Sequence, residues 1–274
     1  MRRTKLSADR THAVTYAHVG EMSVWYERRS EGRPVLFISG SGGDLRTKPN
    51  VFDGPLGRGF DVLAYDQRGL GQTSVPEPPY TMAEYGDDAA GLLDHVGWDR
   101  CAVVGVSFGG MVAQELAIRH PDRVERLVLC CTSSGGAGAP SYPLHTLIDL
   151  AEDERVAIQL GISDTRYGAE WQAANPEAAE KIFATMRTGQ PPADGYRHQL
   201  EARSHHDTYD RLDRVTAPTL VCAGRHDAIA PVSNSEAIVS HIRDAELRVY
   251  EGGHLFLLQD RSAWPDILGF LTAT

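Results

Sequence analysis

The stretch GVSFGG, Gly105–Gly110, lies between an apolar run, CAVV (101–104), and a helical pattern, MVAQELAIRH (111–120). It contains the pattern G-x-S-x-G with Ser107 at its centre. A strand that turns abruptly into a helix holds the turning residue in strained, positive-φ backbone. Glycine is required two positions before and after, because a side chain there would collide with crossing backbone. The stretch therefore predicts a serine hydroxyl held clear of a buried strand, at the start of a helix.

Short apolar runs bounded by Gly, Pro or Asp recur along the chain, which is typical of strands buried on both faces. The runs are 34–39, 61–66, 101–107, 126–132, 219–224 and 246–251. Helical patterns separate several of them, and this alternation predicts parallel strands with crossover helices. Two alternating segments, 13–20 and 22–30, come first and predict an antiparallel hairpin.

The helical patterns cover residues 81–96, 108–119, 232–242 and 261–272. Thr81 and Glu84 have the spacing of a capping box at the start of the first one. Residues 40–60 contain two prolines and several glycines, so we expect a short helix there or none.

Residues 134–210 differ from the rest of the chain because they show short helical pieces broken by Gly and Pro, and no strand pattern. They predict a helical insertion between two strands of one sheet. The chain is thus divided into a first core part (1–133), the insertion (134–210) and a second core part (211–274).

A serine hydroxyl needs a base, and the base needs an orienting carboxylate. In this architecture the three follow in the order Ser, Asp, His, at the carboxyl ends of successive strands. Asp227 follows the run 219–224, and His254 follows the run 246–251 after two glycines. We therefore predict a catalytic triad of Ser107, Asp227 and His254.

The remaining histidines are weaker candidates for the base. His226 is on the same loop as the predicted acid, and His205 and His206 are interpreted as surface or pocket-lining residues of the insertion. His95 and His120 come late in helical patterns, where an imidazolium suits the helix dipole.

Attack on an acyl carbonyl creates an oxyanion, which needs preorganised N–H donors. The amide of Phe108 and the amide of Ser41, in the loop FISGSGGD (37–44), are the predicted pair. The segment AYDQRGLGQTS (64–74) is given no catalytic role. Its Arg68 is interpreted as a buried ion-pair partner, with Asp66 as the candidate acid.

Composition limits the classes of partner. The 274 residues are 42% hydrophobic and carry a net charge of −10, which disfavours nucleic acids and anionic membranes. No apolar run approaches the ~20 residues that span a bilayer, and no apolar region follows MRRTKLSADR. We expect a soluble cytoplasmic protein without a metal or an organic cofactor.

The motifs GVSFGG, DQRGLGQTS, RHPDRVERLVL, AGRHDAIAP and GGH occur in order and resemble those of the α/β-hydrolase superfamily. Taken together, these motifs are most similar to those of esterases and lactonases of the 3-oxoadipate enol-lactonase type. The resemblance implies an eight-stranded, mostly parallel sheet with helices on both faces, and a helical cap formed by 134–210. Cap side chains would favour a mostly apolar substrate, and the candidates are Tyr167, Trp171, Phe183 and Met186.

The chain departs from this pattern in one place, because many relatives have His-Gly where it has Ser39-Gly40. That histidine mainly supports the loop, so the donor at Ser41 should remain. The nucleophile Ser107 disfavours dehalogenase and epoxide hydrolase activity, in which the resemblance implies an aspartate.

The predicted function is cleavage of a small carboxylic ester or lactone through an acyl-enzyme. Three alternatives stay open: hydrolysis of a C–C bond, cofactor-free perhydrolysis with haloperoxidase activity, and a ligand-binding sensor on the same scaffold. The sequence alone does not choose among them, because one triad serves many chemistries.

Overall fold

The computed structural model describes residues 12–29, 31–187 and 193–273. Their strands are β1 (His12–Val19), β2 (Met22–Arg29), β3 (Arg33–Ile38), β4 (Phe60–Tyr65), β5 (Cys101–Val106), β6 (Val124–Cys130), β7 (Thr219–Gly224) and β8 (Ala245–Tyr250). They form one eight-stranded sheet in the order β1-β2-β4-β3-β5-β6-β7-β8. The first two pairings in this order are antiparallel and the other five are parallel. The predicted hairpin and parallel sheet are confirmed, and β5, which leads into GVSFGG, is central.

The α-helices of the described residues are α1 (Leu56–Gly59), α2 (Met82–His95), α3 (Phe108–Arg119), α4 (Glu152–Ser163), α5 (Ala169–Ala174), α6 (Pro176–Arg187), α7 (Ala193–Ser204), α8 (Val232–Val239), α9 (Phe256–Gln259) and α10 (Ala263–Thr272). Helix α2 begins at the predicted capping box, in which Thr81 and Glu84 each bond the other's backbone amide. The segment 40–60 holds only a 3₁₀ turn and the four-residue α1, as its Gly and Pro content predicts. None of the helices in these ranges is long and apolar enough to cross a bilayer.

Apolar side chains cover both faces of the sheet, because neighbouring residues of a strand point to opposite sides. Leu36 of β3 packs in a cluster with α2, α3 and α8, whereas Val35 packs in a second cluster with α1 and α10. The two layers of helices are therefore held by two separate apolar interfaces with the sheet.

The structure corrects the predicted partner of Arg68. Its guanidinium forms two hydrogen bonds with Asp88 of α2, at 2.7 and 2.8 Å, and a contact with Glu84 at 3.0 Å. Asp66 instead accepts the backbone amides of Leu45 and Gln72, and burial raises the pKa of Asp66 to about 6. The prediction was wrong because α2 brings the Asp88 carboxylate to Arg68, whereas the Asp66 carboxylate is bonded to two loop amides.

The segment between β6 and β7 holds α4, α5, α6 and α7, and its described residues form no strand of the sheet. Leu144, Leu147 and Leu200 of this segment pack in a small apolar cluster with Ile229, which follows β7. The insertion is thus attached to the sheet at the carboxyl end of β7. Its division from the core at residues 134 and 210 stays a prediction.

Candidate active site

The turn between β5 and α3 holds Ser107 in a strained conformation, with φ of 55° and ψ of −116°. The Ser107 amide donates to the Cys130 carbonyl at 2.8 Å, and the Thr132 hydroxyl donates to the Ser107 carbonyl at 2.8 Å. Such a conformation persists only where surrounding contacts over-determine it. The neighbouring strand β6 and the residues after it supply those contacts.

The glycines around Ser107 are required by close backbone packing. A Cβ at Gly105 would overlap the Gly109 carbonyl. A Cβ at Gly109 would overlap the Ile38 carbonyl and lie 2.5 Å from the Ser39 carbonyl oxygen. Helix α3 therefore crosses directly over the end of β3, and only glycine fits between them.

Ser107, His254 and Asp227 form one chain of hydrogen bonds. His254 Nε2 lies 2.9 Å from Ser107 Oγ, and His254 Nδ1 lies 2.7 Å from Asp227 Oδ2. Asp227 Oδ1 accepts the backbone amides of Ile229 and Ala230, at 2.7 and 3.0 Å. The Asp227 side chain is fully buried and that of His254 is 13% exposed. An ionised carboxylate only accepts hydrogen bonds, so the neutral imidazole carries its proton on Nδ1 and offers Nε2 to the serine hydroxyl.

The loop that carries His254 is fixed by backbone contacts. Gly252 has a φ of 143°, which favours glycine, and a Cβ at Gly253 would overlap the Ser163 carbonyl. That same carbonyl accepts the His254 amide at 2.6 Å, and Gln259 Oε1 accepts the Gly253 amide at 2.7 Å. Since Ser163 ends α4, the insertion holds the histidine loop in place.

The two predicted oxyanion donors are the Phe108 amide at the start of α3 and the Ser41 amide in the loop after β3. Phe108 is the first residue of α3, so its amide has no intrahelical partner. Within the described ranges, neither the Phe108 amide nor the Ser41 amide donates a hydrogen bond to another group. A Cβ built on Gly40 would lie 3.5 Å from Ser107 Cβ, which shows how close the two loops are. The first amide belongs to the residue after Ser107, and the second to the residue after Gly40; their role as oxyanion donors stays a prediction.

Gln67 and Gln199 support the loop after β3, and sequence reasoning found neither. Gln67 Nε2 donates to the Ser39 carbonyl at 2.8 Å, and Gln199 Oε1 accepts the Gly42 amide at 2.9 Å. Gln67 belongs to the DQRG motif, which was given no catalytic role, and it supports the loop at the Ser39-Gly40 departure. Gln199 is on α7 in the insertion, where no sequence pattern points to the loop it contacts.

The other histidines, and the cysteine that follows β6, have different surroundings. His226 Nε2 lies 2.8 Å from Glu251 Oε1, so its ring is paired with a surface acid. His205 is exposed and His206 is buried. Burial, with a smaller contribution from the Asp227 charge, raises the pKa of Cys131 well above its usual value, and the residue stays a thiol.

The four predicted substrate-binding side chains, Tyr167, Trp171, Phe183 and Met186, are all half-buried. The rings of Tyr167 and Trp171 contact each other edge to face, with centroids 4.8 Å apart. Their role in binding substrate stays a prediction.

The described residues contain no group of three or more His, Cys, Asp or Glu side chains that could hold a metal ion. The candidate site brings together a hydroxyl, an imidazole and a carboxylate, with backbone amides as the predicted oxyanion donors. This set matches the requirements of acyl transfer, in which a nucleophile, a base, its orienting group and an oxyanion site act together.

The fold and the strained serine define an α/β hydrolase, and the comparison with known families agrees. The chain belongs to the α/β-hydrolase fold family, whose model matches residues 33–260. Membership of this family indicates that the protein is a hydrolase. Individual relatives give more information on the kind of bond that they cleave.

Two curated relatives are similar over most of the chain. A poly(3-hydroxyalkanoate) depolymerase of Ectopseudomonas oleovorans is 31% identical over 87% of this chain and 84% of its own length. The 3-oxoadipate enol-lactonase 2 of Acinetobacter baylyi is 28% identical over 92% of this chain and 90% of its own. Among solved structures, the enol-lactonase of Burkholderia xenovorans LB400 superposes with a TM-score of 0.76 and 25% identity, covering 94% of this chain and all of that one. The resemblance to enol-lactonases predicted from the motifs is confirmed.

Proposed function

We propose that the protein is a serine hydrolase that cleaves a small carboxylic ester or lactone through an acyl-enzyme. The observation that carries the proposal is the continuous chain of hydrogen bonds from Ser107 Oγ through His254 to Asp227. Such a chain raises the nucleophilicity of a hydroxyl that is otherwise unreactive at neutral pH.

Acylation begins when His254 Nε2 takes the Ser107 proton as Oγ attacks the substrate carbonyl carbon. Negative charge then develops on the carbonyl oxygen, and the amides of Phe108 and Ser41 donate to it. Asp227 stabilises the imidazolium that forms. The tetrahedral intermediate collapses when His254 returns the proton to the leaving alkoxide, which leaves the acyl group on Ser107.

Deacylation repeats these steps with water. His254 Nε2 takes a proton from a water molecule, whose oxygen attacks the acyl carbon, and the same two amides hold the second oxyanion. Collapse returns the proton to Ser107 and releases the acid. No step requires an oxidant or a reductant, and His254 returns every proton that it takes.

We propose a small and mostly apolar substrate, because apolar residues lie near the loop of the acid. Leu144 and Leu200 of the insertion pack with Ile229, whose amide is held by Asp227. All three side chains are buried, and their cluster lies next to the loop of the acid. The named activity of the enol-lactonase relatives favours a lactone over an open ester. A cytoplasmic location and the cap function of residues 134–210 are part of the proposal.

A labelling experiment tests the nucleophile, and a substrate panel tests the bond. We expect a fluorophosphonate probe to label the wild type and not Ser107→Ala. Failure of the wild type to label would favour a ligand-binding sensor. Turnover on lactones and aryl esters, compared with diketones and with peracid formation, then separates ester hydrolysis from the C–C hydrolase and perhydrolase alternatives.

Asp227→Asn is expected to lower kcat by about 10³–10⁴-fold. The asparagine oxygen can still accept the amides of Ile229 and Ala230, but its NH₂ group then faces His254 Nδ1. The imidazole must place its proton on Nε2, which can no longer accept the Ser107 proton. Steady-state kinetics should show the loss in kcat with little change in melting temperature. A variant with near wild-type kcat would remove Asp227 from the mechanism.

Gln199→Ala is expected to lower kcat about 10-fold or more, since the Gly42 amide loses its acceptor and the loop that bears Ser41 is less well fixed. Gln172→Ala is the matched control, because Gln172 also lies in the insertion but donates to the carbonyls of Ala157 and Tyr167. Melting curves of the two variants should show similar losses of stability. Steady-state kinetics should show the larger loss of kcat in Gln199→Ala. A loss of kcat that is equal in the two variants would mean that Gln199 acts only on the stability of the insertion.

A further inference from the structure

A cavity lies beside the first turn of α3. Its volume is about 270 Å³, and none of the residues of the Ser107 triad lines it. Four of its lining residues are at most 6% exposed: Met111, Ser133, Arg203 and His206. Exposed residues, among them Pro143 and Ser204, complete the lining, so the cavity opens to solvent. Its size suits a small organic molecule of a few carbons rather than a larger ligand.

Arg203 is a buried cation without a carboxylate partner. Its Nη1 donates to the Tyr142 carbonyl and its Nη2 to the Ser141 hydroxyl, both at 2.7 Å, while its Nε has no hydrogen-bond partner. Within the described ranges no carboxylate lies at ion-pair distance from it. Arg68 is almost as buried, and it has Asp88 at 2.7 Å. A buried charge left without a partner is strongly unfavourable, so the missing counter-ion requires an explanation.

The Asp227 charge acts on Arg203 but does not neutralise it locally. Both Asp227 oxygens are already bonded, one to His254 and the other to two backbone amides. Burial lowers the pKa of Arg203 to about 10, so its guanidinium is still charged at pH 7.

Two neutral residues of the same cavity also carry unpartnered polar atoms. Ser133 Oγ and His206 Nδ1 are buried without a hydrogen-bond partner. Burial lowers the pKa of His206 to about 3, so the ring is neutral at pH 7. Buried polar atoms are rarely left unsatisfied in native proteins, and three residues of one cavity each carry such an atom, which points to a ligand that accepts hydrogen bonds.

We propose that this cavity binds the carboxylate group of a small organic acid, with Arg203 as its counter-ion and Ser133 and His206 as neutral donors. A carboxylate is an acceptor only and carries a single negative charge, which matches one guanidinium and two neutral donors. Phosphate as a dianion would leave one charge unbalanced. The carboxylate belongs either to a free acid or to an acidic arm of the substrate.

A melting experiment tests the site without any turnover, so its result does not depend on the hydrolase proposal. Sodium butyrate is titrated against the wild type at an ionic strength held constant with sodium chloride. We expect the melting temperature to rise by about 5 °C or more when butyrate exceeds its Kd 100-fold. Butanamide has the same shape without the charge and should have little effect. Equal shifts with butanamide, or larger shifts with inorganic phosphate, would overturn the carboxylate assignment.

Two variants locate the binding. Ser133→Ala removes a hydroxyl that has no present partner, so it should fold like the wild type and weaken butyrate binding about 10-fold. Arg203→Gln should abolish binding, and Ser133→Ala decides the matter alone if the Arg203 variant does not fold. Ser235→Ala is the matched control, since Ser235 is a buried serine of α8 that also has no partner. Unchanged butyrate affinity in Ser133→Ala would overturn the proposal.

Kinetics with a neutral ester distinguish the two sources of the carboxylate. Competitive inhibition by butyrate that Ser133→Ala relieves would assign the site to an acidic arm of the substrate. A non-competitive effect that Ser133→Ala relieves would assign it to a free acid. Inhibition that is the same in wild type and Ser133→Ala would place butyrate at Ser107 instead and contradict the proposed site.

Discussion

Ser107→Ala is expected to lower kcat by about 10⁴-fold or more on any ester or lactone that the wild type cleaves. The variant loses the atom that forms the acyl bond, and His254 and Asp227 then have no nucleophile to activate. His254→Ala should cause a loss of the same order, because members of a triad act as a unit. Steady-state and single-turnover kinetics on one activated ester would measure both losses.

The control for this prediction is Ser235→Ala, which also removes a buried serine hydroxyl but lies in α8, away from the hydrogen-bond chain. It should keep nearly all activity. Melting temperatures of the variants should be similar, since Ser107 Oγ bonds only to His254 among the described residues. If Ser107→Ala retained more than about a tenth of wild-type kcat, which is far above the residual expected without a nucleophile, the acyl-enzyme mechanism would have to be abandoned.

Much of the fold follows from local rules that a sequence can express. Continuous apolar runs predicted the strands, because a strand buried on both faces needs no polar positions. The capping box at Thr81 marked the start of α2, and G-x-S-x-G predicted the positive φ of Ser107. Each of these depends on residues within a few positions of one another.

The contacts that sequence reasoning missed depend on where distant elements pack. Arg68 pairs with Asp88 because α2 lies over the loop after β4, and no pattern within residues 64–74 contains that information. Gln199 reaches the Gly42 amide across 157 positions of the chain. The roles predicted for Tyr167 and Trp171 also depend on tertiary packing, since the direction of a side chain in the insertion is not set by the periodicity of that segment.

The cavity beside α3 could not be predicted from the sequence either. Its charged residue, Arg203, and its neutral donors, Ser133 and His206, belong to separate segments with no motif in common. Sequence reasoning named His206 only as a surface or pocket-lining residue. The absence of a counter-ion for Arg203 becomes visible only when all its neighbours are placed, because pairing is a property of three-dimensional packing.

Gly109→Ala is expected to reduce the free energy of unfolding by about 3 kcal/mol or more, which lowers the melting temperature by roughly 6 °C or more for a chain of this size. The added Cβ would overlap the Ile38 carbonyl, and it would also lie 2.5 Å from the Ser39 carbonyl oxygen. Both are backbone groups, so no side-chain rotation relieves the contact. Helix α3 must move away from β3, which displaces the loop of Ser41 from Ser107 and lowers activity as well.

Gly269→Ala is the matched control for this change. Gly269 lies within α10, and a Cβ built there has no neighbour within 4 Å. Alanine is the better helix former, so this variant should gain about 0.5–1 kcal/mol of stability and keep full activity. Urea denaturation curves of the two variants measure the difference. A Gly109→Ala protein as stable as the wild type would show that α3 and β3 are not held as closely as the structure has them, and the strained serine would then lose its physical cause.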